Sequence, residues 1–406
     1  MVKNTLARNN SIAVFLMGAL PAVAGSTISF LLSAFFVWGV ISILLGRFEC
    51  RLTQGDRLLA WAFSAFAILT FLTAVIADHP IQGLVEFISY LPFFSLWVII
   101  PRLRASPGID YVALYSAGAG AGAVGAMIFG LLEIGVYGLR PEGGSGNAAI
   151  FAMMSLSLAA VASLNSTSPS PALRRLAIIG TVAGLVAMTA SLTRGVWIAT
   201  PVLFLLFVYL QRNRLRIPST FTLAATTLTI VAGTVLAGGQ ISARLEAIVS
   251  DYEAISQGQV SSSTGHRLQL WEGGFKAFQE SPLWGHGLQN RMEAVAAHLP
   301  AGGPGYTHVH NGFLNFAIDG GLLLLTAVIA MLAAPVIVAS GAPAGPHYSG
   351  RLFLATSITA TYGVCGMTQI MFNHDIMDSF FIFTGIVVAA STPQTHSDAD
   401  ELLLSR

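Results

Sequence analysis

The sequence predicts an all-α, polytopic integral membrane protein. Three observations carry that class. Of 406 residues, 54% are hydrophobic and only 10% charged, where soluble domains carry roughly 25% charged residues. The apolar residues gather into runs of membrane-crossing length, and the polar remainder concentrates in one long stretch, 238–310. A net charge of +1 supplies no basic face of the kind that neutralises nucleic-acid phosphates.

A helix crosses about 30 Å of hydrocarbon with roughly 17–25 apolar residues. Such runs fall near 11–24, 26–46, 58–77, 84–101, 110–133, 147–163, 175–192, 195–210, 218–237, 311–334, 352–372 and 376–391. About twelve spans are expected, or eleven if the short first run with Pro21 does not cross. Lys3 and Arg8 ahead of that run resemble the start of a signal peptide, but no small-residue cleavage site follows, so a retained span is expected. Residues 1–237 then hold nine transmembrane helices, 238–310 a large loop, 311–391 three more helices and 392–406 a tail. A Gly/Ala-rich stretch at 116–126 predicts close helix packing.

Orientation follows from the short loops, which keep Lys and Arg on the cytoplasmic side. With the N-terminus inside, most basic residues fall in the cytoplasm, among them Arg47, Arg51, Arg102, Arg104, Arg174, Arg175 and Arg351. The outer side keeps Arg140, Arg194, Arg244, Arg267, Lys276 and Arg291. The last four lie in the long loop, where charge bias has least force, which leaves Arg140 and Arg194 needing a reason.

Two patterns in that loop have helical period. In "SARLEAIVSDYEAISQ", Leu245, Ile248, Tyr252 and Ile255 recur on one side. In "HRLQLWEGGFKAFQESP", Leu268, Trp271, Phe275 and Phe278 do the same and Pro282 ends the helix. Both read as amphipathic helices along the outer membrane surface.

Chemistry is sought among the polar groups of that face. Arg194, in "SLTRGVW", sits between apolar runs at the membrane edge, where it either snorkels to headgroups or binds an anion. Arg267, taken alone, belongs to the polar side of its helix. Together, guanidiniums on the side that disfavours them suit a fixed anionic ligand such as phosphate. His308 and His310 stand at the head of the next span. A metal site is not expected: on a helix, residues two apart point about 200° from each other, and Asp319 is far from His310 on the opposite side. His310 precedes Asn311 and Gly312 at a helix N-terminus, where backbone N–H groups attract anions and oppose protonation of an imidazole, so a neutral histidine there suits a general base. The alternative is that both histidines are interfacial polar caps. "NHD" at 373–375 is a further polar group on this face. No Gly-x-Ser-x-Gly elbow or phosphate-cradling Gly-Lys loop occurs, and Cys50 and Cys365 have no metal-type spacing.

The ordered set "SLTRGVWIA", "GHRLQLWEGGFKAFQESPLWGHGLQN" and "HVHNGFLNFAIDGGLLLL" resembles the O-antigen ligase and O-antigen polymerase superfamily of bacterial envelope glycosyltransferases. The resemblance implies an inner-membrane protein with both termini cytoplasmic and one large periplasmic loop bearing amphipathic helices. It implies an undecaprenyl-diphosphate-linked glycan as donor and lipid A core, or another glycan, as acceptor, with no cofactor. By position, Arg194 and Arg267 match the arginines that hold the diphosphate, and His310 the histidine that activates the acceptor hydroxyl. Arg140 is a further diphosphate contact by location, and His308 and Asn311 are accessory candidates. Asn147 in "SGNAAIFA" resembles a motif in which Gly-Asn is followed by Pro-Asn; Ala148 and Ala149 stand here instead, leaving its role open. The implied reaction inverts the anomeric centre without a metal. Ligase is preferred to polymerase, and a transporter of lipid-linked sugars is the rival from another class, weakened by the scarcity of charged groups in the spans.

Overall fold

The computed structural model describes residues 2–77, 80–212, 263–299, 306–345 and 347–393. Among the described residues there are helices and no strand. In chain order they are α1 (Val2–Ala19), α2 (Thr27–Leu44), α3 (Gln54–Ile76), α4 (Pro80–Phe87), α5 (Leu96–Arg104), α6 (Tyr111–Tyr137), α7 (Ala148–Ser163), α8 (Pro171–Ala190), α9 (Arg194–Trp197), α10 (Ala199–Gln211), α11 (Ser263–Glu280), α12 (Arg291–Ala296), α13 (Gly312–Gly341), α14 (Tyr348–Gly366) and α15 (Asp375–Ala390). Eight helical stretches in the described residues are long and apolar enough to cross a membrane, which makes the chain a multi-pass membrane protein. The expected span 218–237 and the first amphipathic pattern, 242–257, lie outside the described residues.

Local chemistry sets the ends. A capping box opens α3: the Asp56 amide donates to Thr53 Oγ1 at 3.2 Å and the Thr53 amide donates back to Asp56 Oδ2 at 2.9 Å. Asp110 caps α6, which Gly138 ends in the left-handed region at φ 63°. Asn147 caps α7, its Oδ1 accepting from the Ala149 and Ile150 amides. The small-residue stretch at 116–126 packs as expected: a Cβ at Gly118 would stand 2.1 Å from the Phe15 carbonyl oxygen and one at Gly122 2.5 Å from that of Ala19. Only glycine lets α1 and α6 approach so closely.

Several boundaries differ from the sequence reading. The first helix starts well before residue 11 and stops short of Pro21, which cannot donate to a continuing helix. The expected span 84–101 is three pieces, α4, a 3₁₀ segment Ile88–Phe94 containing Pro92, and α5. The expected span 352–372 ends at Gly366, and residues 367–374 form a loop that reaches the site described below. Two arginines counted as loop charges turn inward: Arg102 is buried and its Nε donates to Asn10 Oδ1 at 3.0 Å, and Arg104, its side chain 7% exposed, donates from Nη2 to Asp56 Oδ1 at 2.8 Å. Each guanidinium brings hydrogen-bonding partners into the interior with it, as burial of charge requires.

The main core runs through α3, α13 and α15, where Phe66, Phe93, Phe316, Phe372 and Phe381 form a chain of edge and tilted ring contacts. A second, smaller core of Leu270, Ala277, Val295, Val309 and Ile318 joins α11 and α12 to the head of α13. In α11 the buried side is Leu270, Gly273, Gly274 and Ala277, with Trp271 and Phe278 partly covered, whereas Leu268 and Phe275 of the expected apolar stripe are exposed. The helix docks on α13 through small residues, a second face that the helical period of its large apolar residues did not reveal.

Candidate functional site

The site is organised by the turn into α13. Asn311 has extended backbone and caps the helix, its Oδ1 accepting from the Leu314 amide at 3.1 Å. One turn on, Asn315 Oδ1 accepts from the Val309 amide at 3.1 Å and pins the incoming chain. Between them His310 takes a left-handed backbone, φ 53°, an uncommon state for a residue with a Cβ. His308 and His310 therefore do not diverge as they would on a helix: their ring centroids are 4.2 Å apart. Tyr306 meets His310 edge-on at 5.6 Å, and Thr307 Oγ1 lies 3.0 Å from His308 Nδ1. His310 Nδ1 is buried with no hydrogen-bond partner among the described residues.

Electrostatics hold these rings neutral. Burial, His310, Arg291 and Arg267 together push His308 down to about 4. Burial and the Arg267 guanidinium lower His310. A buried imidazole facing cations loses its proton first because the charged form is both desolvated and repelled.

Arg267, on α11, is lowered by burial and by the charge of Arg194, with Tyr306 opposing. The structure thus brings Arg194, Arg267, His308 and His310 into one electrostatic neighbourhood. Arg194 opens α9 after a turn in which Leu192 is left-handed, φ 60°. Arg140 braces that turn: its Nε donates to the Ser191 carbonyl at 2.7 Å and its Nη2 to Thr193 Oγ1 at 2.9 Å. Thr193 Oγ1 in turn donates to the Ala148 carbonyl at 3.2 Å. On the other side, a Cβ at Gly195 would meet Thr368 Oγ1 at 2.5 Å. Arg194 is held between the start of α7 and the 367–374 loop.

The head of α13 is separated from its body by a break. Gly320 and Gly321 leave helical geometry, Gly321 at φ 62°, ψ −156°, a region essentially restricted to glycine. The backbone groups freed there are taken up by the segment after α11. The His286 amide donates to the Ile318 carbonyl at 2.8 Å, the Gly287 amide to the Asp319 carbonyl at 3.0 Å, and the Leu322 amide to the Pro282 carbonyl at 2.8 Å. Irregular backbone within a span is tolerated when protein satisfies it in this way. Beside the break, Arg291 grips buried Asp319 with two prongs, Nε to Oδ1 at 2.9 Å and Nη2 to Oδ2. Sequence reasoning missed this pair, treating Arg291 as a loop charge and considering Asp319 only to set it aside as a metal partner for the histidines. The available signal was a carboxylate and two glycines, "DGG", inside an apolar run.

Residues 179–329 match the family model described as O-antigen ligase. Over those residues the chain is similar to the O-antigen ligase family. No curated protein matches the chain. The family is one of glycosyltransferase-like enzymes, and the matched segment runs from α8 past the α13 break, taking in Arg194, Arg267, Arg291, His308, His310 and Asp319.

A cavity of about 690 Å³ adjoins the histidines of the matched segment. His308 and Arg291 line it from within that segment, while Glu86, Asn147, Asn373 and His374 line it from outside residues 179–329. Asn147, whose role the sequence left open, thus caps α7 and forms cavity wall. No group of three or more His, Cys, Asp and Glu suited to a metal ion occurs among the described residues.

Proposed function

We propose that the protein is a glycosyltransferase of O-antigen ligase type, moving a glycan from undecaprenyl diphosphate to a hydroxyl of lipid A core at the periplasmic face of the bacterial inner membrane. The observation that carries this reading is the neutral His310, left-handed at the head of α13, beside the mutually opposed cations Arg267 and Arg194. Two guanidiniums forced together are relieved by a bound polyanion, and the lipid diphosphate is that polyanion. His310 takes the proton of the acceptor hydroxyl as its oxygen bonds to the anomeric carbon. The bond from that carbon to the phosphate oxygen breaks, its electron pair leaving with undecaprenyl diphosphate. Attack opposite the leaving group inverts the centre, and the arginines meet the developing charge without a metal. Each such preorganised donor is typically worth about 3–4 kcal/mol in the transition state. His308 screens His310 from solvent, Asn311 fixes the helix head, and Arg140 acts through Arg194 by holding its turn. The large loop, 238–310, sits on the periplasmic side with both termini cytoplasmic, as the distribution of basic residues favours.

Purified protein with a defined lipid-linked donor and core acceptor tests this, with and without EDTA. Transfer is expected in both conditions, and His310→Ala and Arg194→Ala proteins that remain folded should lose it. Full transfer by either variant sinks the reading, and loss on chelation sinks its metal-free form. In cells, deletion should leave bare core and accumulated lipid-linked polymer. Core capped by a single repeat would instead identify a polymerase.

A further inference from the structure

We propose that the cavity beside His308 is the subsite for the acceptor saccharide, and that its wall of Asn147, Asn373 and His374 selects that sugar through its hydroxyls. The inference rests on the glycosyl-transfer reading and adds where the second substrate sits and what chooses it. At about 690 Å³ the cavity is of the size of ordinary small-ligand sites.

Charge decides which substrate it takes. The one guanidinium among its lining residues, that of Arg291, is already engaged two-pronged by Asp319. Glu86 lines the cavity as well, and Asp375 stands directly behind His374, its Oδ1 3.3 Å from the ring Nδ1. A diphosphate entering here would meet carboxylates with no spare cation. A neutral polyol would find acceptors for its hydroxyl protons and amides for its oxygens. Arg194 and Arg267 are not among the lining residues, so donor phosphates held by them lie outside this cavity. His308 lines the cavity and its ring is 4.2 Å from that of His310, so the base stands at the border between the two substrates.

The wall is built to hold its shape. Asp375 accepts from Ser29 Oγ at 3.0 Å through Oδ2, and its Oδ1 stands 3.3 Å from His374 Nδ1 without a hydrogen bond, so it acts on the ring by charge. A neutral imidazole there can donate to or accept from a sugar hydroxyl. Asn373 holds a left-handed backbone, φ 70°, and so turns the chain between the loop and α15. Asn147 is fixed by its own capping bonds. None of these residues belongs to the matched segment, residues 179–329. The transfer machinery and the groups that choose the acceptor are therefore carried by different parts of the chain.

Steady-state transfer by the full-length detergent-purified protein tests the assignment, with an undecaprenyl-diphosphate-linked saccharide as donor and delipidated core oligosaccharide as acceptor, each varied at saturation of the other. His374→Ala and Asp375→Asn should raise the acceptor KM about tenfold while donor KM and the saturating rate stay within about twofold, and His374→Gln should recover part of the loss. Asn147→Ser keeps a helix-capping side chain but shortens the wall, so it should reorder preference across a panel of acceptor sugars in a protein that still folds. Wild-type protein that transfers nothing would overturn the functional reading and this one with it. Wild-type transfer with acceptor KM and preference unmoved in these variants, or with donor KM raised equally, would overturn the cavity assignment alone.

Discussion

Removing the carboxylate of Asp319 probes the scaffold beneath the site. Its side chain is fully buried and that of its partner Arg291 is 12% exposed, so Asp319→Ala leaves a guanidinium in the interior without its counter-charge. Deleting one member of such a pair costs about 3–5 kcal/mol, whereas replacing both by apolar groups of similar volume is neutral or stabilising. At 1.4 kcal/mol per tenfold, the single change should shift the ratio of folded to unfolded protein by roughly a hundred- to a few-thousand-fold. Arg291→Met combined with Asp319→Leu should lie within about 1 kcal/mol of wild type or above it. Equilibrium unfolding in mixed detergent micelles, run on the wild type, both singles and the double, gives the coupling energy. If Asp319→Ala is within 1 kcal/mol of wild type, or the double is as unstable as the single, burial of an unpaired charge is not what the pair prevents.

Three further outcomes follow from the same geometry. Gly321→Ala puts a Cβ 2.3 Å from the Leu283 carbonyl at a φ of 62°; strain of about 1–3 kcal/mol plus the overlap should free the 282–287 segment, seen as faster hydrogen exchange at His286, Gly287 and Leu322. Arg140→Lys keeps the charge but loses the fork that grips Ser191 and Thr193, so transfer should fall about tenfold with little change in unfolding midpoint; unchanged transfer would detach Arg140 from the site. Because His310 is lowered and His308 lies at about 4, the base is in its active, unprotonated form above its depressed pKa and is lost only as pH falls through it. The acid limb of the pH–rate profile should therefore lie below 6.5, and a limb centred at 6.5 or above contradicts the electrostatics.

Much of this was legible from residue order. Apolar run lengths foretold a helical membrane protein, the Gly/Ala stretch its close packing, and Pro282 the end of α11. Motif order singled out Arg194, Arg267 and His310, whose charges act on one another in the structure. What stayed hidden depended on backbone states that side-chain periodicity does not encode. His308 and His310 converge because one residue is left-handed. Gly320 and Gly321 look like ordinary small residues of a 30-residue helix until another segment is present to take their hydrogen bonds. The Arg291–Asp319 pair joins residues on separate elements. Arg102 and Arg104 read as loop charges because nothing in their own neighbourhood announces Asn10 or Asp56.

The clasp between the 282–287 segment and the broken helix is made by main-chain groups, the His286, Gly287 and Leu322 amides with the Ile318, Asp319 and Pro282 carbonyls. Every amino acid but proline carries an amide donor and all carry a carbonyl. The exposed side chains at Leu283 and Trp284 are therefore free to drift without loosening the frame that sets the histidines and arginines, whereas the His286 ring adds a tie to the Ala277 carbonyl at 2.7 Å. Such a frame permits evolutionary change in the surrounding surface while the reacting groups keep their spacing.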